Sequence, residues 1–523
     1  MAERLPIDDV LPEVIAALRR QSSIVLRAPT GAGKTTRVPP ALLDAGLTSE
    51  RIIVLEPRRL AARAAARRMA HERGQAIGGD VGYHVRFDRQ VGPRTRIVVM
   101  TPGILLRALQ DDPFLESVGI VLFDEFHERS LECDLALGLV RLVQTTVRPE
   151  LRIGVMSATL ATDTVAAYLG NAPVISSEGR LHPVDIVYEP RSLQQPWPVA
   201  AARAVERLLD RTDGDVLCFL PGMQEIRQTS RELGDIAREQ DLLILPLHGD
   251  LAPDEQDRAL LPQQQRRVVL ATNVAETSVT VEGITGVVDT GLARMQQFDA
   301  SVGMDRLEVA QIARDAADQR AGRAGRTRPG ICIRLWSEAS HAQRPAQTAP
   351  EISRVDLAGA VLHLRCIGER DVRRFPWLEK PREDALEHAD NLLRRLGALH
   401  PDGSVTAVGR AMARLPLHPR LARMLIEGQQ FRAAPLVALT AALLSERDPF
   451  QRAPDARPAR RATTASDVLE RVHALAAFEE TGGTSFPVGT LHDGAARFLL
   501  RARDQFLRAL PNESGRSDPV EPD

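Results

Sequence analysis

The sequence predicts an α/β fold in which two doubly wound, mostly parallel sheets follow one another and a helical third closes the chain. Three observations carry this. Short apolar runs such as Ile24–Leu26, Ile52–Leu55 and Ile120–Phe123 alternate with helical stretches, as strands buried on both faces do. A glycine-rich turn, Ala28-Pro29-Thr30-Gly31-Ala32-Gly33-Lys34-Thr35-Thr36, joins the first of these runs to a helix. After Trp336 the strand alternation stops and helical periodicity takes over.

Length and composition set the bounds. A chain of 523 residues holds three or four domains, each able to bury its own core. Aromatic residues make up only 4% of it, so those cores are built from Leu, Val, Ile and Ala. The net charge is −2 and the pI about 6.7, so a nucleic-acid partner needs a local basic channel rather than bulk charge. Cys133, Cys218, Cys332 and Cys366 lie far apart, with neither metal-ligand spacing nor a disulfide framework, which fits a reducing cytosol. Residues 1–9 lack an apolar signal region, and no apolar run approaches a membrane span.

Taken in order, Leu11–Arg20 has helical spacing and leads into the first strand. The glycine-rich turn follows. Gly31 and Gly33 let the backbone point several N–H groups into one concavity, and the next helix adds its partial positive charge, which together suit an anion. Lys34 would reach the β/γ-phosphates of a nucleotide and the Thr35 hydroxyl would bind Mg²⁺. Lys34 and Lys380 are the only two lysines among 67 basic residues. A chain that otherwise uses arginine places a compact ammonium here, where a planar guanidinium would not fit between phosphates. Next come strands at Arg51–Leu55, Arg96–Met100, Ile120–Phe123 and Arg152–Met156, with an Ala/Arg-rich helix at Leu60–Arg73. Their polar ends, where such sheets bind ligands, hold Arg58-Arg59, Thr101, Asp124-Glu125-Phe126-His127 and Ser157-Ala158-Thr159. Asp124 is placed to hold Mg²⁺ through water, and Glu125 to orient or deprotonate an attacking water. Either carboxylate alone would also serve as a helix N-cap.

A second α/β unit repeats the layout without a glycine-rich cradle, with strands at Asp215–Leu220, Leu242–Leu245, Arg267–Ala271 and Gly286–Val288. Met295–Val309 reads as a hairpin around a glycine-containing turn. In Gln319-Arg320-Ala321-Gly322-Arg323-Ala324-Gly325-Arg326, Arg323 and Arg326 share one helical face. Two guanidiniums aimed at a γ-phosphate would stabilise charge developing in transfer; a solvated basic helix or a phosphate-backbone patch reads from the same residues. Ser340–Pro350 reads as a linker, Asp356–Arg365 and Ala385–Leu396 as helices, and Gly397–Thr406 as a small hairpin with a Pro-Asp-Gly turn. Leu421–Leu510 is mostly helical, interrupted at Arg452–Arg461, and residues 511–523 read as a polar tail.

Ala28–Thr36, Asp124–His127, Ser157–Thr159 and the arginine cluster together resemble the DEAH-box group of superfamily 2 helicases. Phe126 stands where most members have Ala. The run Asp124–Ser130 and Leu415–Leu425 resemble the bacterial HrpB-type branch. The resemblance spans about residues 5–510. It implies two tandem RecA-like P-loop NTPase domains (residues 1–172 and 173–347), a winged-helix domain (348–418), a helical bundle (419–510) and a disordered tail (511–523). It implies an ATP-dependent helicase or translocase using ATP and Mg²⁺, moving 3′ to 5′ on single-stranded RNA or DNA. A nucleic-acid-stimulated ATPase that clamps without unwinding is the alternative. The catalytic set would be Asp124, Glu125, His127, Gln319, Arg323 and Arg326, with Arg323 and Arg326 as arginine fingers and Gln319 positioning water. The nucleotide would also meet Thr30–Thr36, with Thr35 and Asp124 on the metal, Arg68 on the adenine and Glu282 near the ribose. Glu282 replaces the usual Asp, and Leu260 stands at the usual aromatic position, which predicts weak base discrimination. Ser157, Ala158 and Thr159 would couple hydrolysis to movement. Arg58, Arg59 and Thr101, with Gly222, Ser278 and Thr280, would hold the strand backbone, and the hairpin would part duplex strands. The resemblance further implies a cytoplasmic monomer with a possible protein activator and no membrane contact. Members of this branch continue with another large region, which this sequence would lack.

Overall fold

The computed structural model describes residues 4–511 apart from 159–161, 179–181, 190–194, 250, 252, 277–280, 300–303, 447 and 452–465. Thr159, Ser278, Thr280, the Arg452–Arg461 interruption and all but the first residue of the 511–523 tail lie outside the described residues. The chain divides into two compact units, residues 1–355 with 376–380, and residues 356–375 with 381–523. Among the described residues no helix is long and apolar enough to cross a membrane.

The first unit contains two sheets, each the centre of a lobe. The first lobe is built on β1 (Ser23–Arg27), β2 (Arg51–Leu55), β3 (Val81–Val85), β4 (Asp88–Gln90), β5 (Ile97–Met100), β6 (Val118–Phe123), β7 (Arg152–Ser157) and β8 (Val174–Ser176). Their order is β4-β3-β5-β2-β6-β7-β1-β8, parallel except for β4. The apolar runs are what make this sheet: all six residues of β6 are buried, as are the first four of β1. Helices cover both faces. On Arg59–Glu72 the alanines Ala61, Ala62, Ala65 and Ala66 are buried with Met69 and Ala70, and most of the arginines point away. The strand order brings the carboxyl ends of β2, β6, β7 and β1 side by side, with Leu55 opposite Phe123, Phe123 opposite Val155 and Arg27 opposite Ser157. That adjacency gathers the polar clusters into one place.

The second lobe has β9 (Val184–Tyr188), β10 (Asp215–Phe219), β11 (Leu243–Leu247), β12 (Arg267–Ala271), β13 (Ile284–Asp289) and β16 (Gly330–Arg334), all parallel in the order β11-β12-β10-β13-β16-β9. Between β13 and β16 runs an antiparallel hairpin, β14 (Leu292–Asp299) and β15 (Met304–Gln311), in continuous register from Leu292 opposite Gln311 to Asp299 opposite Met304. The hairpin is longer at both ends than the sequence suggested.

The second unit is helical: Ala358–Cys366, Glu383–Arg395, Ala407–Arg414, Pro419–Gln430, Ala434–Ser445, Asp467–Thr481 and Asp493–Ala509, with a three-stranded sheet of very short strands. Two expectations change here. The Gly397–Thr406 hairpin reduces to a single bridge, Leu399 to Val405, because a tight turn at Asp402-Gly403 leaves no length for a ladder. The Ser340–Pro350 linker is not structureless. Its start lies in a helix, Glu338–Gln343, and buried Arg344 donates to the carbonyls of Gly291 and Ile312 at 3.0 and 2.7 Å.

Candidate active site

The site starts with the turn after β1. Gly31 (φ 87°) and Gly33 (φ 93°) both adopt the left-handed conformation that glycine tolerates without strain. A Cβ on Gly33 would strike Leu5 Cδ1 at 2.6 Å, because the turn Pro6–Asp9 packs over it and Ile7 N–H donates to Ala32 O at 3.1 Å. From Gly33 the helix Lys34–Asp44 begins, so Lys34 is fixed on its first position. Ala28 N–H donates to Ser157 O at 3.0 Å, which ties the turn to the end of β7.

Lys34 is 2% exposed, and its Nζ donates to Glu125 Oε1 at 2.6 Å. Burial pushes the Lys34 ammonium down, but Glu125 and Asp124 outweigh it and hold its pKa above the ordinary lysine value. Burial pushes the Glu125 carboxyl up, and Lys34, His127 and Arg323 more than reverse this, so Glu125 stays ionised. Asp124 moves the other way, raised by burial and by the Glu125 carboxylate against the pull of Lys34. Two adjacent carboxylates with pKa values driven apart are how sites separate roles. Asp124 is fully buried; its Oδ1 accepts the Glu125 N–H at 2.8 Å, and Thr35 hydrogen-bonds the same carboxylate. Its Oδ2 is buried without a hydrogen-bond partner. An orphaned carboxylate oxygen beside a threonine hydroxyl fits a hard cation such as Mg²⁺.

Glu125 itself sits at φ 46°, ψ 36°, left-handed for a residue with a side chain, at the start of the 3₁₀ turn Phe126–Glu128. His127 Nδ1 is 3.4 Å from Glu125 Oε2. Phe126 is buried edge-on against Phe123, 6.2 Å between centroids, so the ring that replaces the usual Ala is core.

The second lobe contributes from the opposite side. Gln319 lies on the helix Arg314–Ala321 with its Oε1 buried and unpartnered. Arg323 lies in the 3₁₀ turn Gly322–Gly325 and Arg326 caps it, so the three-residue spacing stacks the two on one face. Arg326 reaches the cradle: a Cβ on Gly31 would lie 3.6 Å from its Cζ. Burial lowers its pKa to about 10 despite the nearby Glu125. Arg323 is buried and donates through Nε to Glu276 O at 3.0 Å; burial and then Arg326 push it down while Glu125 pulls it up. Both guanidiniums therefore feel the carboxylate that pairs with Lys34.

The other predicted residues make the following contacts. Arg58, expected on the strand backbone, pairs with Glu128 at 3.1 Å and donates to the carbonyls of Asn273 and Val274 at 2.8 and 3.3 Å, across to the second lobe. Arg59 opens its helix and is exposed, and Thr101 is the half-buried N-cap of Pro102–Asp111. Gly222 is the N-cap of Met223–Glu232, with Arg294 of β14 so close that a Cβ would meet its Nε at 2.8 Å. Arg68 makes an exposed ion pair with Glu72. Glu282 is exposed and its carbonyl accepts from Arg267. Leu260 packs on the second lobe's core, with Leu261 exposed beside it. Ser157 is 7% exposed at the end of β7, with Ala158 following.

Two residues escaped the sequence reading. Glu56, after β2, is 2% exposed with Oε1 unpartnered; burial, then Asp124 and Glu125, hold its pKa well above the carboxylate range. A Glu closing an apolar strand before Pro57 was the available signal. Arg320, inside the arginine cluster, is turned inward onto Glu276 and Asp289, each at 2.9 Å. Nothing in the spacing separates it from Arg323.

Comparison with known proteins follows the same division. Residues 10–167 match the DEAD/DEAH box helicase family and 200–328 the helicase conserved C-terminal domain. Residues 391–417 and 418–485 match the winged-helix and ratchet-like parts of the helicase-associated domain. The ATP-dependent RNA helicase HrpB of Escherichia coli (strain K12) is 43% identical over 444 residues, 84% of this chain and 55% of that protein. HrpA from the same source is 37% identical over 468 residues, 87% of this chain and 36% of that protein. The crystal structure of the Escherichia coli DEAH/RHA helicase HrpB matches with a TM-score of 0.82 and 39% identity, covering 95% of this chain and 63% of that one. The chain thus spans about half the length of HrpB, and about a third of HrpA.

Proposed function

The chain belongs to the DEAD/DEAH box helicase family, and from that premise we propose that it is an ATP-driven RNA helicase or translocase moving 3′ to 5′ on a single strand. The observation that carries the reading is Arg326 lying over Gly31, so that one lobe's guanidinium stands on the other lobe's phosphate cradle. In this reading the N–H groups of Thr30–Thr36 and Lys34 hold the β/γ-phosphates. Thr35 and Asp124 hold Mg²⁺, partly through water, and the ion neutralises phosphate charge when bound. Glu125, helped by His127, takes the proton of a water that Gln319 orients. Arg323 and Arg326 stabilise the charge that develops on the transferred phosphoryl. In our reading Lys34 leaves Glu125 for the phosphates on ATP binding, which frees the carboxylate to act as base.

Ser157 ties the cradle to the end of β7, and with Ala158 and Thr159 it couples the state of the cradle to the lobes. Arg59, Thr101, Gly222, Ser278 and Thr280 grip the strand backbone. Arg58 joins them only after releasing Asn273 and Val274, so strand binding and lobe contact compete for one guanidinium. Glu282 and Arg68 face the nucleoside with little base selectivity.

The test is ATPase rate against matched single-stranded RNA and DNA, with Lys34→Ala as control. RNA stimulation that Lys34→Ala abolishes is expected; hydrolysis indifferent to any strand would refute the motor. A strand-displacement assay separates unwinding from clamping.

A further inference from the structure

The turn that carries Glu125 is held by a group of residues that none of these roles uses. Arg129 closes it, also left-handed at φ 47°, ψ 47°, with its N–H on Phe126 O at 3.1 Å. Its guanidinium takes Asp134 in a two-pronged grip, Nε to Oδ1 and Nη2 to Oδ2, each at 2.9 Å, and Asp134 is 1% exposed. The same Nη2 lies 3.6 Å from Glu379 Oε2. The guanidinium faces the Phe126 ring at 5.8 Å. Burial pushes the Arg129 pKa down, and Asp134 followed by Glu379 bring it back above the ordinary value. Glu379 belongs to a strap, Pro376–Lys380, that is part of the first unit although the second unit supplies the residues on either side of it. Trp377 in the strap is 7% exposed, and the Tyr168 hydroxyl donates to Pro376 O at 2.5 Å.

A three-residue turn with left-handed side-chain-bearing residues at both ends costs about 1–2 kcal/mol at each, and persists only where its surroundings over-determine it. We propose that Arg129 is a positioning residue for the hydrolytic carboxylate, locked by Asp134 on one side and by Glu379 of the strap on the other. The proposal rests on Glu125 being that carboxylate. In this role Arg129 acts on the backbone of the turn rather than on the reacting atoms. It fixes the backbone from which Glu125 projects, and a misplacement of 1 Å there is worth about 10²-fold in rate. The strap thereby acquires a way to set hydrolysis through one side chain.

The experiment compares Arg129→Gln, Arg129→Lys and Glu379→Gln with the unsubstituted chain. It reads kcat and KM for strand-stimulated ATP hydrolysis, thermal melting, and amide exchange over residues 125–130. Arg129→Gln should lower kcat about 10–100-fold with KM for ATP within about twofold, because only the transition-state geometry is lost. Arg129→Lys should recover part of that, since an ammonium cannot grip both carboxylate oxygens. Glu379→Gln should cost about two- to fivefold, as a half-exposed partner would. Exchange should quicken over 125–130 in Arg129→Gln by more than elsewhere in the first lobe, beyond what the melting temperature lost by unpairing buried Asp134 accounts for. A kcat within twofold of the unmodified chain overturns the proposal, as does a loss shared equally between kcat and KM with early melting. If the unmodified chain hydrolyses no ATP, the reading of Glu125 fails by itself. Exchange then decides: unchanged protection in Arg129→Gln overturns the clamp and faster exchange upholds it.

Discussion

The two lobes of the first unit share a layout and differ in how they treat charge. In the first lobe Glu56, Asp124 and Glu125 crowd together around Lys34, and an oxygen of each carboxylate is buried without a hydrogen bond. In the second lobe the buried arginines are paired within the lobe: Arg320 with Glu276 and Asp289, and Arg267 with Asp215 and the carbonyls of Ala259, Leu261 and Glu282. The first lobe carries electrostatic strain among its carboxylates that a cation would relieve. In the other, the largest buried arginines are paired, although Asp289 Oδ2 and Gln319 Oε1 are buried without a hydrogen bond, and Arg323 and Arg326 are presented from its 3₁₀ turn. A buried pair stabilises little by itself but is costly to break, so the two lobes should respond differently to the loss of one partner.

The largest effect expected is on chemistry. Glu125→Gln should reduce ATP turnover about 10³-fold, within the range for a general base, while fluorescent-nucleotide and strand binding persist. Normal turnover in that variant would reassign the base and erase the contrast between the lobes. Next comes Arg320→Ala, which strands Glu276 and Asp289 and should destabilise the second lobe by about 3–5 kcal/mol in denaturant titration. A cost near zero would mean that lobe is no more satisfied than the first.

Glu56→Gln should act in the opposite direction. Its folded pKa lies above the unfolded one, so the folded state holds the proton more tightly. Stability then falls as pH rises from the ordinary carboxylate range, about 4.3, toward the raised value. Removing the charge should lift the melting temperature at pH 8 and leave it unchanged near pH 4; equal shifts at both would show that packing, not ionisation, is responsible. The smallest effect belongs to Arg68→Ala. Its pair with Glu72 is exposed, worth about 0.3–0.5 kcal/mol by melting. A selective rise in KM for ATP over GTP would instead place it on the base.

Much of this was legible beforehand because buried parallel strands write themselves as unbroken apolar runs. β1, β2, β6, β7 and β12 stand within a residue or two of where those runs put them. The residues at their carboxyl ends were legible for the same reason. β3, β4, β8 and β9 were not: three carry glycine, histidine or charged residues inside short spans, and β8 is a three-residue edge strand. The carbonyl contacts of Arg58 were not legible, because an arginine after a strand reads the same whether it meets a phosphate or a carbonyl of the other lobe. Arg320 shows the limit in its sharpest form. Three arginines in one motif look interchangeable, and only the fold decides which one turns inward. The ion pair of Glu379 with Arg129 lies beyond any local pattern.

The packing of Leu5 and Ile7 on Gly33 has a practical side. Besides its own hydrogen bonds and its tie to β7, the glycine-rich turn is held from outside by a roof of two aliphatic side chains. Shrinking either side chain would loosen the turn and leave the sheet behind it intact.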